Sequence, residues 1–91
     1  MTIEIPTPLR VYTGNQSAVA VEAATVSEAV ASLLARYPEF KKHLYTTDGK
    51  LRSFVNLYLN DEDIRYLPQG EESAVQASDT LSIIPSIAGG D

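Results

Sequence analysis

Cysteine is absent from this chain of 91 residues. The protein therefore forms no disulfide, uses no thiolate as a nucleophile and offers no cysteine ligand to zinc. Tryptophan is also absent, and the single histidine, His43, has no second histidine with which to share a metal. We expect no metal site, and we interpret His43, which follows Lys41 and Lys42, as a surface residue.

Basic residues are few. Seven lysines and arginines stand against twelve acidic residues, which gives a net charge of −5. Because proteins that bind nucleic acid without sequence preference neutralise phosphates with lysine and arginine, we expect no nucleic-acid partner. An acidic protein is better suited to docking on basic surfaces of other proteins.

Long apolar runs are missing as well. No stretch approaches the roughly 18 apolar residues of a membrane span, and the first residues lack the pattern of a signal peptide. We therefore expect a cytoplasmic protein with no membrane partner. The length and the ordinary composition, with 44% hydrophobic residues, indicate one folded domain.

The first half of the chain predicts two strands and a helix. Apolar and polar residues alternate over residues 3–11 and 17–21, on either side of a turn at residues 13–16, which predicts a hairpin. Pro6 and Pro8 place the first strand at an edge or give it a bulge or a break, since neither can donate to a ladder.

Thr25 and Glu28 have the spacing of a capping box, which predicts that a helix begins at Val26. Apolar residues then recur every three or four positions, and Pro38 ends the helix near Arg36. Residues 39–44 predict a short turn of helix that sends Phe40 and Leu44 to the core.

The second half of the chain predicts strands at residues 54–59, 64–66 and 80–84. A solvated turn at residues 60–63 separates the first two, and residues 67–78 are irregular. One helix across a mixed sheet is the α+β arrangement that this order favours. The residues expected to face the core are Val55, Leu57, Leu59, Val75, Leu81 and Ile83.

The opposite side of these strands predicts a binding surface. Alternation along the strand predicts that Phe54 and Tyr58 face away from the core. Alternation in the last strand predicts the same outward orientation for Ile84. Apolar patches with aromatic and arginine residues often mark binding sites on small proteins. The alternative is that residues 67–78 or the first strand cover them. We name as the outer patch Phe54, Tyr58, Ile84 and Ile87, with Arg52 and Arg65 at the rim.

The domain of residues 1–85 is followed by a tail, residues 86–91, which we expect to be flexible. Gly89 and Gly90 lack Cβ atoms, so the pair fits an extended slot too narrow for other residues. The alternative is a disordered terminus with no role, because small residues are common at chain ends.

A resemblance to a known family rests on the order of the strands and the helix and on two segments. The segments are FVNLYLN at residues 54–60 and LSIIP at residues 81–85, which is followed by Ala88-Gly89-Gly90. The whole chain resembles the ubiquitin-like sulfur carriers of the MoaD and ThiS family. Residues 52–56, 60–65 and 87–90 are most similar to its CysO-type carriers of cysteine biosynthesis. The resemblance implies a ubiquitin-like β-grasp fold.

The resemblance also implies a chemistry. In such carriers an ATP-dependent activating enzyme adenylates the carboxylate of the terminal glycine, and sulfur then replaces AMP to give a thiocarboxylate. Gly90 would be the attachment site, and Ile87, Ala88 and Gly89 would be recognised by partners. The carrier is not an enzyme and binds no cofactor, since the activating partner consumes the ATP. A sulfur-accepting enzyme, such as a cysteine synthase, is the second partner.

Asp91 departs from the family pattern, because it follows the Gly-Gly pair and leaves Gly90 with only a peptide carbonyl. We interpret the chain as a precursor, cleaved between Gly90 and Asp91 by a JAMM-type metalloprotease. The alternatives are an artificially added residue and a carrier that has lost activity. The client pathway stays open among three alternatives. They are cysteine biosynthesis, molybdopterin synthesis, in which this chain would be the small subunit of molybdopterin synthase, and the synthesis of another thio-metabolite. A ubiquitin-like modifier or interaction module is the alternative of a different class.

Overall fold

One mixed sheet of five strands forms the framework of the computed structural model, which describes residues 1–53 and 55–85. The strand order across the sheet is β2-β1-β5-β3-β4. β1 and β5 are parallel, and the other neighbouring pairs are antiparallel. The strands are β1 (Thr2–Glu4), β2 (Ala18–Ala20), β3 (Val55–Leu59), β4 (Glu62–Asp63) and β5 (Thr80–Pro85).

The main helix, α1 (Val26–Arg36), has the predicted bounds. The Oγ1 atom of Thr25 accepts a hydrogen bond from the Glu28 amide at 3.2 Å, as an N-cap should. The Glu28 carboxylate reaches back to the amide of Ala24 at 3.0 Å, one residue before the position that a standard capping box uses. The helix presents one buried stripe, made of Val26, Ala29, Val30 and Leu33.

A single core joins α1, the sheet and the short helix α2 (Phe40–Leu44). The helix packed across a mixed sheet confirms the predicted ubiquitin-like β-grasp architecture. Five of the six residues predicted to face the core are buried, and Leu59 is partly buried. Phe40 and Leu44 are completely buried, as their spacing predicts. Among the described residues, no helix has the length and apolarity needed to cross a membrane.

The predicted first strand is wrong beyond Glu4. Residues Thr7–Thr13 form a 3-10 helix with Pro8 in its first turn, and it ends at Gly14, whose φ is +67°. Proline fixes φ near −65° and lacks an amide donor, so the segment suits a helical turn better than a ladder. The predicted antiparallel pairing of the first two strands is confirmed, but residues 5–17, and not a turn at residues 13–16 alone, connect β1 to β2.

The predicted turn at residues 60–63 and strand at residues 64–66 are each displaced. Leu59 pairs with Glu62, so only Asn60 and Asp61 connect β3 to β4. Asn60 has a φ of +58°, which asparagine tolerates better than most residues, and this permits the tight connection. Residues Ile64–Tyr66 are a 3-10 helix, and its N-cap is Asp63.

Candidate partner-binding site

A row of polar and aromatic side chains crosses the outer face of the sheet. Tyr58 lies opposite Ser82 of β5 and opposite Asp63 of β4, and cross-strand partners share a face. Ser82 lies in turn opposite Glu4 of β1, and its hydroxyl donates a hydrogen bond to the Glu4 carboxylate at 2.9 Å. The row therefore spans four neighbouring strands, β1, β5, β3 and β4, and its one hydrogen bond between side chains joins β1 to β5.

Ile84 adds an apolar residue to this face. It is 46% exposed and lies opposite Asn56, which places it diagonally from Tyr58. The outward orientation predicted for Ile84 is therefore confirmed, whereas its contact with a partner stays a prediction. Tyr58 is partly buried, so neither residues 67–78 nor the first strand covers it completely.

Arg65 is fixed beside Tyr58 by Asp63. The Asp63 carboxylate accepts a hydrogen bond from the Arg65 amide at 2.9 Å and from its Nη2 at 2.7 Å. Hydrogen bonds from the Arg65 side chain and backbone lower the pKa of Asp63, and the hydrogen bond to Asp63 raises the pKa of Arg65. The expected solvated turn is therefore wrong at Asp63, whose side chain is only 7% exposed.

Arg52 is held in a different place. Its backbone amide donates to the Leu44 carbonyl at 2.8 Å, and its Nε donates to the Lys42 carbonyl at 3.1 Å. These bonds fix the guanidinium against α2. Arg52 and Arg65 both line a depression beside Val55, but Arg52 is turned towards α2 whereas Arg65 lies beside Tyr58.

Tyr66 was missed as a candidate. It is 82% exposed and follows Arg65 directly, and both Tyr58 and Tyr66 lie near the Arg65 guanidinium. An exposed tyrosine beside an arginine is typical of interface anchors. The adjacent Arg-Tyr pair was the available signal, but the assignment of this segment to a strand hid it.

The family model described as "ThiS family" matches residues 3–90. The chain belongs to the ThiS family. The family model covers the outer face of the sheet and extends through both residues of the Gly-Gly pair, and it leaves Asp91 outside the match.

The proteins similar to this chain include sulfur carrier proteins and a small modifier protein. It is 38% identical to the sulfur carrier protein CysO of Mycobacterium tuberculosis (strain H37Rv), over 99% of this chain and 98% of the relative. The crystal structure of a BexX/CysO complex from Amycolatopsis orientalis contains a chain that is 42% identical, with a TM-score of 0.84 and 98% of each chain covered. SAMP1, the small archaeal modifier protein 1 of Haloferax volcanii, is 26% identical with a TM-score of 0.82, over 99% of this chain and 98% of that one.

The remaining predicted site residues of the ThiS-family chain lie outside the described residues. They are Phe54, Ile87, Ala88, Gly89, Gly90 and Asp91.

The last described residue, Pro85, lies opposite Val55 at the end of β5. A depression lined by Glu4, Arg10 and Ile84 adjoins this point, and the Nε of Arg10 donates to the Ile5 carbonyl at 3.0 Å. Arg10 had no predicted role, because the expected first strand gave no reason to place it at the end of β5.

The only histidine of the ThiS-family chain is less exposed than predicted. His43 packs its ring on Tyr12 with 4.7 Å between ring centroids. Its Nε2 atom is buried and has no hydrogen-bond partner within residues 1–53 and 55–85. The same part of the chain holds no group of three or more histidine, aspartate or glutamate residues that could bind a metal ion.

Proposed function

We propose that this protein is a sulfur carrier whose Gly90 carboxylate is thiocarboxylated after removal of Asp91, and that it donates this sulfur in cysteine biosynthesis. One observation carries the proposal: 38% identity to a sulfur carrier protein over 99% of this chain, in a family match that extends to Gly90. The fold adds that the described domain ends with β5, so the proposed tail would follow this strand directly.

The chemistry needs two partners and no catalytic residue from the carrier. A free carboxylate is a poor electrophile, so an activating enzyme first transfers AMP from ATP to the Gly90 carboxylate and releases pyrophosphate. A sulfur nucleophile then attacks the acyl carbon, the bond to AMP breaks, and a thiocarboxylate results. The carrier binds no cofactor, and ATP is consumed by the activating enzyme.

The tail accounts for the carrier's own part in this chemistry. About five extended residues reach on the order of 16 Å, which is enough to enter a partner's active site while the domain stays outside. Ile87, Ala88 and Gly89 would be the recognised residues of the tail. The outer patch, with Tyr58, Ile84 and Arg65, would contact the activating enzyme, and Arg52 would contribute from its place against α2.

Asp91 decides whether the carrier can be activated. An adenylation slot shaped for Gly-Gly has no room for a Cβ substituent, and a second carboxylate would be left unpaired in a desolvated site. We therefore propose that a JAMM-type metalloprotease hydrolyses the bond between Gly90 and Asp91 before activation. A sulfur-accepting enzyme of the cysteine synthase type would then consume the thiocarboxylate.

The test compares the full chain with a chain that ends at Gly90. Each is incubated with ATP, sulfide and the activating enzyme of the same genome, and pyrophosphate exchange and intact mass are measured. The chain that ends at Gly90 should exchange pyrophosphate and gain the mass of one replacement of oxygen by sulfur. The full chain should do neither, and a chain that ends at Gly89 is the control for tail length.

Activation of the full chain at the same rate as the chain that ends at Gly90 would reject the hypothesis that the full chain is a precursor. Failure of both chains would reject the sulfur carrier itself.

A second candidate function is protein modification. The likeness to SAMP1, named a small archaeal modifier protein, favours it at 26% identity over nearly the whole chain. In that case the activated Gly90 carbonyl would be attacked by a lysine amine of a target protein, with release of AMP and formation of an isopeptide bond. Conjugates of higher mass in a cell extract supplied with ATP, absent when Gly90 is removed, would favour this function.

A further inference from the structure

The basic residues are unevenly distributed along this acidic chain. Four of the seven lysines and arginines lie within residues 38–52, together with only two of the twelve acidic residues, Glu39 and Asp48. This segment therefore has a net charge of +2, and the rest of the chain carries −7. The four basic residues are Lys41, Lys42, Lys50 and Arg52.

The fold gathers three of these four basic residues around one concave surface, and Lys50 belongs to the turn beside it. α2 leads into a turn in which the Thr46 amide donates to the Lys50 carbonyl at 2.7 Å, and this turn brings the chain back to Arg52. The bond from Arg52 Nε to the Lys42 carbonyl then joins the last residue of the segment to α2. We name this surface the basic cleft; its charged lining is Glu39, Lys41, Lys42 and Arg52, and it also includes Tyr45 and Thr46.

The basic cleft lies next to the end of β5. The Val55 amide donates to the Arg52 carbonyl at 3.0 Å, and Val55 lies opposite Pro85. A protein that binds the proposed tail would therefore meet the domain close to the place where its described part ends, at Pro85. Its surface would meet the cations of the cleft while most other charges of the carrier are negative.

We propose that the basic cleft docks an acidic segment of a partner protein, beside the point where the chain leaves the sheet. The inference deepens the proposed function, on which it rests, because it names the chemistry of one partner surface. Complementary charges accelerate encounter and fix orientation. A carboxylate can accept from Lys41 and from the Arg52 guanidinium, which uses one of its five N–H donors in the bond to Lys42.

Lys42 is held in place for such a contact. Its Nζ lies 2.9 Å from a carboxylate oxygen of Glu39, and both side chains are more than half exposed. The ion pair positions the Lys42 ammonium group at the rim of the cleft, where it can also donate a hydrogen bond to a carboxylate of a partner.

The surroundings favour a short acidic peptide over nucleic acid. The domain measures 33 × 29 × 24 Å, and the chain outside the segment carries −7. A phosphate backbone that extended past the cleft would run over acidic surface within about one Debye length, roughly 8 Å at physiological salt. A segment of a few acidic residues ends before it meets that surface.

The test is a titration of the full, isotopically labelled chain with a short polyglutamate peptide, followed by amide chemical shifts at low ionic strength. Shifts should be confined to α2, the following turn and Arg52, and they should shrink at physiological salt, where charges are screened. Lys41→Glu and Lys42→Glu should each weaken the affinity about two- to fivefold, the range of a single exposed ion pair.

Arg36→Glu is the matched control. It makes the same change of charge at an exposed residue, which donates to the Ala20 carbonyl on the edge strand β2. Its affinity for the peptide should fall less than that of either cleft variant.

Absence of shifts, shifts spread over the whole surface, or an equal loss of affinity in Arg36→Glu would overturn the proposal. An oligonucleotide that shifts the same amides at the same concentration would assign the cleft to nucleic acid instead. Because the titration uses no activating enzyme, its failure would leave the sulfur-carrier proposal standing. Failure of Gly90 to be activated would likewise leave a positive titration intact.

Discussion

Leu57 and Tyr58 are consecutive residues of β3 that belong to opposite faces of the sheet. Leu57 is 1% exposed and lies opposite Ile83, which is also buried in the core. Tyr58 lies opposite Ser82 on the outer face and is only partly buried. The two side chains therefore allow the stability of the domain and its proposed binding of partners to be tested separately.

Alanine at each of these positions should have opposite effects. Leu57→Ala should lower the free energy of unfolding by about 2 to 5 kcal/mol, because it leaves a cavity in the core. Tyr58→Ala should change this free energy by about 1 kcal/mol or less. It should instead weaken binding to the activating enzyme by about 1 to 3 kcal/mol, as interface anchors do. Urea unfolding and calorimetric titration measure the two quantities.

Equal destabilisation by the two substitutions would show that Tyr58 is part of the core. Unchanged binding in Tyr58→Ala would remove it from the partner surface.

The 3-10 helix at Thr7–Thr13 makes a second prediction. Leu9 is buried and Val11 is 70% exposed, whereas a continuous strand would place both on one face. Leu9→Ala should lower the free energy of unfolding by about 2 to 5 kcal/mol. Val11→Ser should change it by no more than about 0.5 kcal/mol, as is usual for exposed positions. Similar losses of the free energy of unfolding in the two variants, measured by urea unfolding, would favour the predicted strand over the 3-10 helix.

The pKa of Asp63 makes the stability depend on acid pH. Hydrogen bonds from Arg65 lower this pKa in the folded protein, whereas the unfolded chain has the ordinary value of about 3.9. The contribution to the free energy of unfolding is therefore fully present well above pH 4. It is lost as the pH falls through the ordinary value and then through the folded pKa.

Asp63→Asn should consequently be less stable than the natural chain at neutral pH, and the difference should shrink below about pH 4. Thermal unfolding across this range measures the effect. Asp61→Asn, at an exposed residue of the same connection, is the control and should change the free energy of unfolding at neutral pH by no more than about 0.5 kcal/mol. A difference for Asp63→Asn that persists unchanged into acid would contradict the linkage to Arg65.

Local signals predicted the parts of the fold that local interactions determine. The bounds of α1 follow from the cap at Thr25 and from Pro38, both close in sequence to the helix ends. The 3-10 helix at Thr7–Thr13 was mistaken for a strand, because alternating apolar residues occur in both and Leu9 is buried in either case. Asp63 was misplaced because it ends β4 and also caps the helix that follows.

Contacts between distant segments could not be read from the sequence. The outward orientation of Ile84 followed from the alternation of side chains along its strand and was predicted correctly. Arg52 meets α2 through the carbonyl of Lys42, and no periodicity predicts a bond between a side chain and a backbone ten residues away. The basic cleft was missed for this reason, since Lys41 and Lys42 share a concave surface with Arg52 only in the folded chain.

The pairing of β5 has a mechanical consequence for the tail. β5 is hydrogen-bonded along both of its edges, to β1 on one side and to β3 on the other. A pull along the chain beyond Pro85 would shear both ladders at once, and many bonds would have to yield together. The strand thus acts as a stiff anchor, so that the domain would keep its shape if a partner drew the proposed tail into its active site.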